Sequence, residues 1–72
     1  MNEATKIVGI RIREIRKVKN ISQETLAVLA DVNRTHMGRI ERGDKSPTVA
    51  TLEKISKALK CPISSLFKVE TT

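Results

Sequence analysis

The sequence is poor in aromatic residues: it has no tryptophan and no tyrosine, and Phe67 is its one aromatic side chain. Proteins that bind single-stranded nucleic acid often stack bases on aromatic rings, so this chain is poorly equipped for that task. Cys61 is the only cysteine, which excludes an internal disulfide. One cysteine and one histidine, His36, are too few for the usual four ligands of a structural zinc site. We therefore expect no metal and no cofactor.

Long hydrophobic runs are also missing. No run approaches the roughly 18 apolar residues of a membrane span, and the N-terminus lacks the apolar region of a signal peptide. A cytoplasmic location is the expectation. With 72 residues, the chain is expected to form one domain over residues 1–72, with a core at about 5–67 and short flexible tails. So small a core suits helix packing or dimerisation.

Catalysis is not expected from this sequence. The domain is too small for most enzymes, and His36 and Cys61 have no base, metal or oxyanion partner at a recognisable spacing. Acidic residues are scarce: the sequence has 14 lysines and arginines but only 8 aspartates and glutamates, which gives a net charge of +6. An excess of positive charge favours a polyanionic partner. Because aromatic stacking is largely absent, duplex nucleic acid is favoured over single strands.

Apolar residues recur at helical spacing throughout, and no alternating strand pattern occurs, so the sequence predicts an all-α fold. Val8, Ile12 and Ile15 mark a first helix over about residues 5–19, which Asn20 ends by adopting the left-handed conformation. Whether the neighbouring Ile7, Ile10 and Val18 flank the core or are exposed stays open.

Three further helices begin at residues that favour the N-cap position. Ser22 caps a helix over about residues 23–30, and Asn33 caps a third that runs to about Arg42 and stops at Gly43. Thr48 caps a fourth helix, whose apolar repeat Val49, Leu52, Ile55 and Leu59 extends to about Lys60. Pro62 opens a short fifth helix that carries Ile63, Leu66 and Phe67, and residues 68–72 are expected to form a frayed tail.

The second and third helices are joined by a tight turn, which is the pattern of a helix-turn-helix. Met37 and Ile40 fall on one side of the third helix, and the opposite arc carries Arg34, Thr35, Gly38, Arg39 and Arg42. The major groove of B-DNA admits one α-helix, and arginine can bridge O6 and N7 of guanine. Arg34, Thr35 and Arg39 are therefore the predicted base-reading residues.

The stretch SQETLAVLADVNRTHMGRIERG, followed by SPTVATLEKISKALKCPISSLF, resembles the Cro/CI-type helix-turn-helix domains of phage repressors over about residues 8–67. Within that family, the short length and the run at residues 34–38 before Glu41-Arg42-Gly43 are most similar to controller proteins of restriction-modification systems. The resemblance implies a compact five-helix bundle of the lambda-repressor type. It also implies a homodimer that binds a palindromic DNA operator and regulates transcription.

The same resemblance implies roles for individual residues. Contacts with the DNA backbone are expected from Ser22, Gln23, Asn33 and Arg42. Arg16 and Glu41 are expected to form an internal ion pair, which suits the match between a guanidinium fork and a carboxylate. The dimer interface is expected at Ile63, Leu66 and Phe67. RNA polymerase as a further partner, and two dimers on adjacent sites, stay open.

Several positions depart from the family pattern or have two interpretations. Asp31 stands where the family usually has glycine, and it is expected, like Asn20, to adopt the left-handed conformation. Gly38 either lets the backbone approach DNA or is simply tolerated. His36 is expected at the groove edge or in packing, and Cys61 in packing rather than in redox sensing. For Phe67, the dimer interface is favoured over a role in capping the monomer core.

The main alternative function is a protein-interaction module, such as an antitoxin or anti-repressor, built on the same scaffold. Selection of a preferred duplex from random DNA would distinguish this module from a DNA-binding regulator.

Overall fold

The computed structural model describes residues 3–67, which contain four α-helices and no strand. The helices are α1 (Glu3–Val18), α2 (Gln23–Leu29), α3 (Arg34–Arg42) and α4 (Val49–Ala58), and a 3-10 helix follows at Ile63–Phe67. The predicted all-α fold is confirmed, although the fifth helix is a 3-10 helix rather than an α-helix. The tail predicted at residues 68–72 lies outside the described residues.

The polar residues that precede α2, α3 and α4 cap these helices as predicted. Ser22 Oγ accepts a hydrogen bond from the Thr25 amide at 3.0 Å, and Thr48 Oγ1 accepts one from the Thr51 amide at 3.1 Å. Asn33 Oδ1 accepts from two amides at the start of α3, at 2.8 and 3.2 Å. These bonds satisfy amides that the helix itself leaves without partners, and they fix where each helix begins.

Left-handed residues end the helices. Gly43 follows α3 with φ 79°, and Asn20 and Asp31 have φ 58° and 54°, as predicted. Lys60 also has positive φ, 56°, which no sequence pattern indicated. The Cys61 amide then donates to the Ser56 carbonyl at 3.0 Å, so α4 ends at Ala58 and not at the predicted Lys60.

The core lies between the inner faces of all five segments. Its fully buried large side chains are Ile12, Leu26, Met37, Ile40, Ile55, Leu59 and Leu66. Ile15 is only partly buried at its edge, and Ile10 and Val18 are exposed. Val49 is also exposed, contrary to its predicted place in the apolar repeat of α4; it is the first residue of that helix, and burial in the repeat begins at Leu52.

Gly9 allows α1 to cross α3 at very short range. A Cβ atom on Gly9 would lie 2.7 Å from the Glu41 carbonyl oxygen and closer still to that of Ile40. Both oxygens belong to the backbone of α3 and cannot rotate away. The close approach sets the position of α3 relative to α1, and sequence reasoning did not single out this glycine.

Candidate nucleic-acid interface

Helix α3 has one buried side and one polar side, as its sequence predicts. Met37 and Ile40 have no solvent exposure, whereas Arg34, Thr35 and Arg39 are exposed. Two buried anchors therefore hold the helix against the core while three hydrogen-bonding side chains point into solvent. We call the surface formed by Gln23, Glu24, Arg34, Thr35, Gly38, Arg39 and Arg42 the α2–α3 face; most of these residues line one shallow depression.

Two of the three arginines on this face already have a carboxylate partner. Arg34 Nη1 lies 2.9 Å from Glu24 Oε2, and Arg42 Nε lies 3.1 Å from Asp44 Oδ2. All four side chains are more than half exposed. Within residues 3–67, Arg39 is the arginine of this face that forms no ion pair. Sequence reasoning missed both pairs, because each partner lies outside α3.

Gly38 is buried although it lies on the polar side of α3, because the side chains of Gln23 and Arg42 cover it. A Cβ atom at this position would lie 3.4 Å from Gln23 Oε1 and 3.3 Å from Arg42 Nη1. The missing side chain therefore provides room for two residues that were predicted to contact the DNA backbone. Neither interpretation drawn from the sequence anticipated this arrangement.

The predicted backbone contacts Ser22 and Asn33 have side chains that are already used in helix capping. Ser22 Oγ accepts from the Thr25 amide and also hydrogen-bonds to Thr25 Oγ1 at 2.9 Å. Asn33 uses Oδ1 for the cap, whereas its Nδ2 donor has no partner within the described chain. The Asn33 amide can therefore donate to a phosphate directly, whereas the Ser22 hydroxyl would do so by turning its hydrogen away from Thr25 Oγ1.

Arg16 and Glu41 form a bidentate ion pair that joins α1 to α3. Arg16 Nε and Nη2 donate to the Glu41 carboxylate at 2.9 and 3.0 Å, and Nη1 donates to the Ile21 carbonyl at 2.9 Å. The side chains are only 11% and 3% exposed. Three hydrogen bonds thus fix the end of α1, the following loop and the last turn of α3 in one geometry.

The residues with two interpretations take positions within the monomer. His36 is partly buried, and its Nε2 is enclosed without a hydrogen-bond partner in residues 3–67, which fits packing. Cys61 packs against the core. Burial raises the pKa of the Cys61 thiol, while the positive charges of Lys19 and Arg11 oppose that shift. A raised pKa keeps the Cys61 side chain protonated at neutral pH, and the protonated thiol is less reactive than the thiolate.

The three residues predicted for a dimer interface differ in exposure. Phe67 is 51% exposed and borders a depression with Ala4, Pro47 and Leu52, and Ile63 is partly buried. Leu66, however, has no exposure at all. The prediction for Leu66 is corrected, because this side chain anchors the 3-10 helix in the monomer core and offers no surface to a partner.

No helix within residues 3–67 combines the length and apolar character that crossing a membrane requires.

Comparison with known proteins decides the family. The helix-turn-helix family (HTH_3) matches residues 12–66, which include α2, α3 and the turn between them. The chain belongs to this family. Its helix-turn-helix relatives include the control protein C.BamHI of Bacillus amyloliquefaciens, which is 44% identical over 59 residues, covering 81% of this chain and 73% of the relative. The control protein C.MunI of a Mycoplasma species is 37% identical over 68 residues, covering 93% and 92% of the two chains.

A solved helix-turn-helix structure gives the same result. The restriction-modification controller protein C.AhdI from Aeromonas hydrophila has a TM-score of 0.85 at 36% identity, and the match covers 88% of this chain and 96% of that one. The predicted resemblance to controller proteins is therefore confirmed. So is the predicted function as a helix-turn-helix, DNA-binding regulator of transcription.

Proposed function

We propose that this helix-turn-helix protein is a restriction-modification controller that binds a palindromic operator as a homodimer. Each subunit would place residues 33–42 in the major groove of one half-site. The observation that carries the proposal is the division of α3 into a fully buried side, with Met37 and Ile40, and an exposed side with Arg34, Thr35 and Arg39. The action is binding without turnover.

The exposed side chains of α3 have the chemistry of base recognition. Arg34 and Arg39 can each donate two hydrogen bonds to O6 and N7 of guanine, and Thr35 can contact a base edge or a thymine methyl group. Gln23, Arg42, the free Nδ2 of Asn33 and the Ser22 hydroxyl would contact phosphates. These contacts fix the register of the helix in the groove. Phosphate contacts make the affinity strongly dependent on salt concentration.

The dimer interface would use the exposed Phe67 and the adjoining Ile63. A two-fold arrangement of this kind places the two α3 helices about 34 to 36 Å apart, which corresponds to half-site centres about 10 to 10.5 base pairs apart. The position of the operator relative to the promoter would decide whether RNA polymerase is recruited or blocked. A second dimer would bind alongside only where a second operator adjoins the first.

Selection from a randomised duplex library tests the proposal. The protein should enrich a palindrome, and sedimentation of the complex should give two chains per selected duplex. Enrichment of no duplex would contradict the proposal and favour the protein-interaction module.

The Arg34→Ala variant tests base reading. We expect affinity for the selected duplex to fall by about 1–3 kcal/mol and the preference at one base position to relax. Lys57→Ala is the matched control, because it removes the same charge from α4. An equal loss of affinity on every duplex for Arg34→Ala would count against base reading by this residue.

Gly38→Ala separates stability from DNA binding. Alanine stabilises a helix by about 1 kcal/mol relative to glycine, so the free energy of unfolding should stay unchanged or rise. The new Cβ would push Arg42 Nη1 by only a few tenths of an ångström and would just touch Gln23 Oε1, so affinity for the selected duplex should fall by no more than about threefold. Urea denaturation and duplex titration measure the two effects; a loss of affinity greater than about tenfold would contradict the view that position 38 meets only these two side chains.

A further inference from the structure

Glu24 is an acidic residue on the α2–α3 face, where a DNA-binding surface would favour positive charge. It lies in the first turn of α2, and its Oε2 accepts a hydrogen bond from Arg34 Nη1 at 2.9 Å, ten residues along the chain. The pair connects the start of α2 with the start of α3. None of the roles assigned so far uses Glu24.

Glu24 interacts favourably with the dipole of α2 because it lies in the first turn, but neither that interaction nor the contribution of the ion pair to folding explains its contact with Arg34. The two side chains are 68% and 69% exposed, and ion pairs so open to water contribute little to stability. A carboxylate at a DNA interface also repels phosphates. Its contact with Arg34 therefore points to an effect on how that arginine meets DNA.

We propose that Glu24 is a positioning residue that determines sequence specificity through Arg34, a proposal that rests on the function proposed above. Glu24 holds Nη1 and keeps the guanidinium away from the phosphates. A guanidinium has five N–H donors, so an arginine held at Nη1 still has donors for O6 and N7 of guanine. On the operator, Arg34 donates to guanine while it keeps its hydrogen bond to Glu24.

On a duplex that has no guanine at the position facing Arg34, the guanidinium can bind DNA only through a phosphate. Because Glu24 already neutralises the guanidinium, such a contact releases little bound counterion, and the carboxylate repels the phosphate. Glu24 therefore weakens binding to random DNA more than binding to the operator. The ratio of the two affinities, and not the operator affinity alone, is the quantity that depends on Glu24.

Glu24→Gln tests the proposal, with Glu14→Gln as a matched control. Glu14 is another exposed carboxylate paired with an arginine, Arg11 Nη1 at 3.0 Å, but it lies on α1. The two variants change the net charge of the chain equally. The probes are the duplex selected by the wild-type protein and a scrambled duplex of equal length, each titrated at several salt concentrations.

For Glu24→Gln we expect the ratio of operator to scrambled affinity to fall about threefold to tenfold, mainly through tighter binding of the scrambled duplex. The salt dependence on that duplex should steepen by about 0.9 in log–log slope, the value for one added phosphate contact. Glu14→Gln should leave the ratio within about twofold. In an Arg34→Ala background, Glu24→Gln should no longer change the ratio.

Equal ratios in the Glu24 and Glu14 variants would overturn this proposal alone. A ratio that still falls in the Arg34→Ala background would overturn it too, since Glu24 would then act without Arg34. If the wild-type protein enriches no duplex, the proposed function fails and this proposal fails with it.

Discussion

Replacing Gly9 with alanine is expected to lower the free energy of unfolding by about 3 kcal/mol or more, because the added methyl group collides with the backbone of α3. The gain of about 1 kcal/mol that alanine brings to a helix cannot offset this collision. Small domains have little stability to lose, so a large unfolded population is expected. Urea denaturation followed by circular dichroism measures the change.

Gly38→Ala is the matched control for Gly9→Ala, since it makes the same substitution in a neighbouring helix. There the new Cβ meets only the ends of two flexible side chains, 3.3 and 3.4 Å away. Similar unfolding midpoints for the two variants would contradict the close crossing of α1 and α3.

Replacing Glu41 with alanine is expected to cost about 3–5 kcal/mol, because it leaves the Arg16 guanidinium buried without its counter-charge. The Ile21 carbonyl would be the remaining partner among the three bonds that the structure gives to Arg16. The pair joins α1 to the last turn of α3, so α3 should be less well ordered in the protein that still folds. That protein should therefore bind DNA more weakly. Chemical denaturation measures the first effect and duplex titration the second.

The double variant Arg16→Met with Glu41→Leu is the informative comparison for this pair. Replacing a buried ion pair with apolar residues of similar size is often close to neutral, whereas removing one partner is not. The double variant should therefore be more stable than Glu41→Ala. If Glu41→Ala costs no more than Glu14→Gln, which breaks an exposed pair, then the contact between Arg16 and Glu41 is not a buried structural pair.

Much of the fold could be predicted because short-range rules determine it. Ser22, Asn33 and Thr48 cap the helices that follow them, since a short polar side chain at those positions satisfies nearby amides whatever the tertiary structure is. Asn20 and Asp31 take positive φ because their side chains tolerate it. Helical periodicity places Met37 and Ile40 on the buried side of α3, but the burial of Gly38 depends on the Gln23 side chain from α2.

The remaining features depend on which elements meet in space. Gly9 is one of three glycines in the sequence, and only the crossing with α3 shows why it has no side chain. The pairing of Arg34 with Glu24 joins two helices across a turn, so the spacing within either helix cannot reveal it. Leu66 and Phe67 are adjacent apolar residues, and their burial differs because the 3-10 helix turns one toward the core and the other toward solvent.

Protection of guanine N7 from methylation, measured on the selected duplex, tests directly whether α3 lies in the major groove, because N7 is exposed there. With α3 in the groove, we expect two sets of protected guanines with centres about 10 to 10.5 base pairs apart, and loss of protection at one guanine per half-site in Arg34→Ala. Unprotected guanine N7 positions in a saturated complex would contradict the placement of α3 in the major groove.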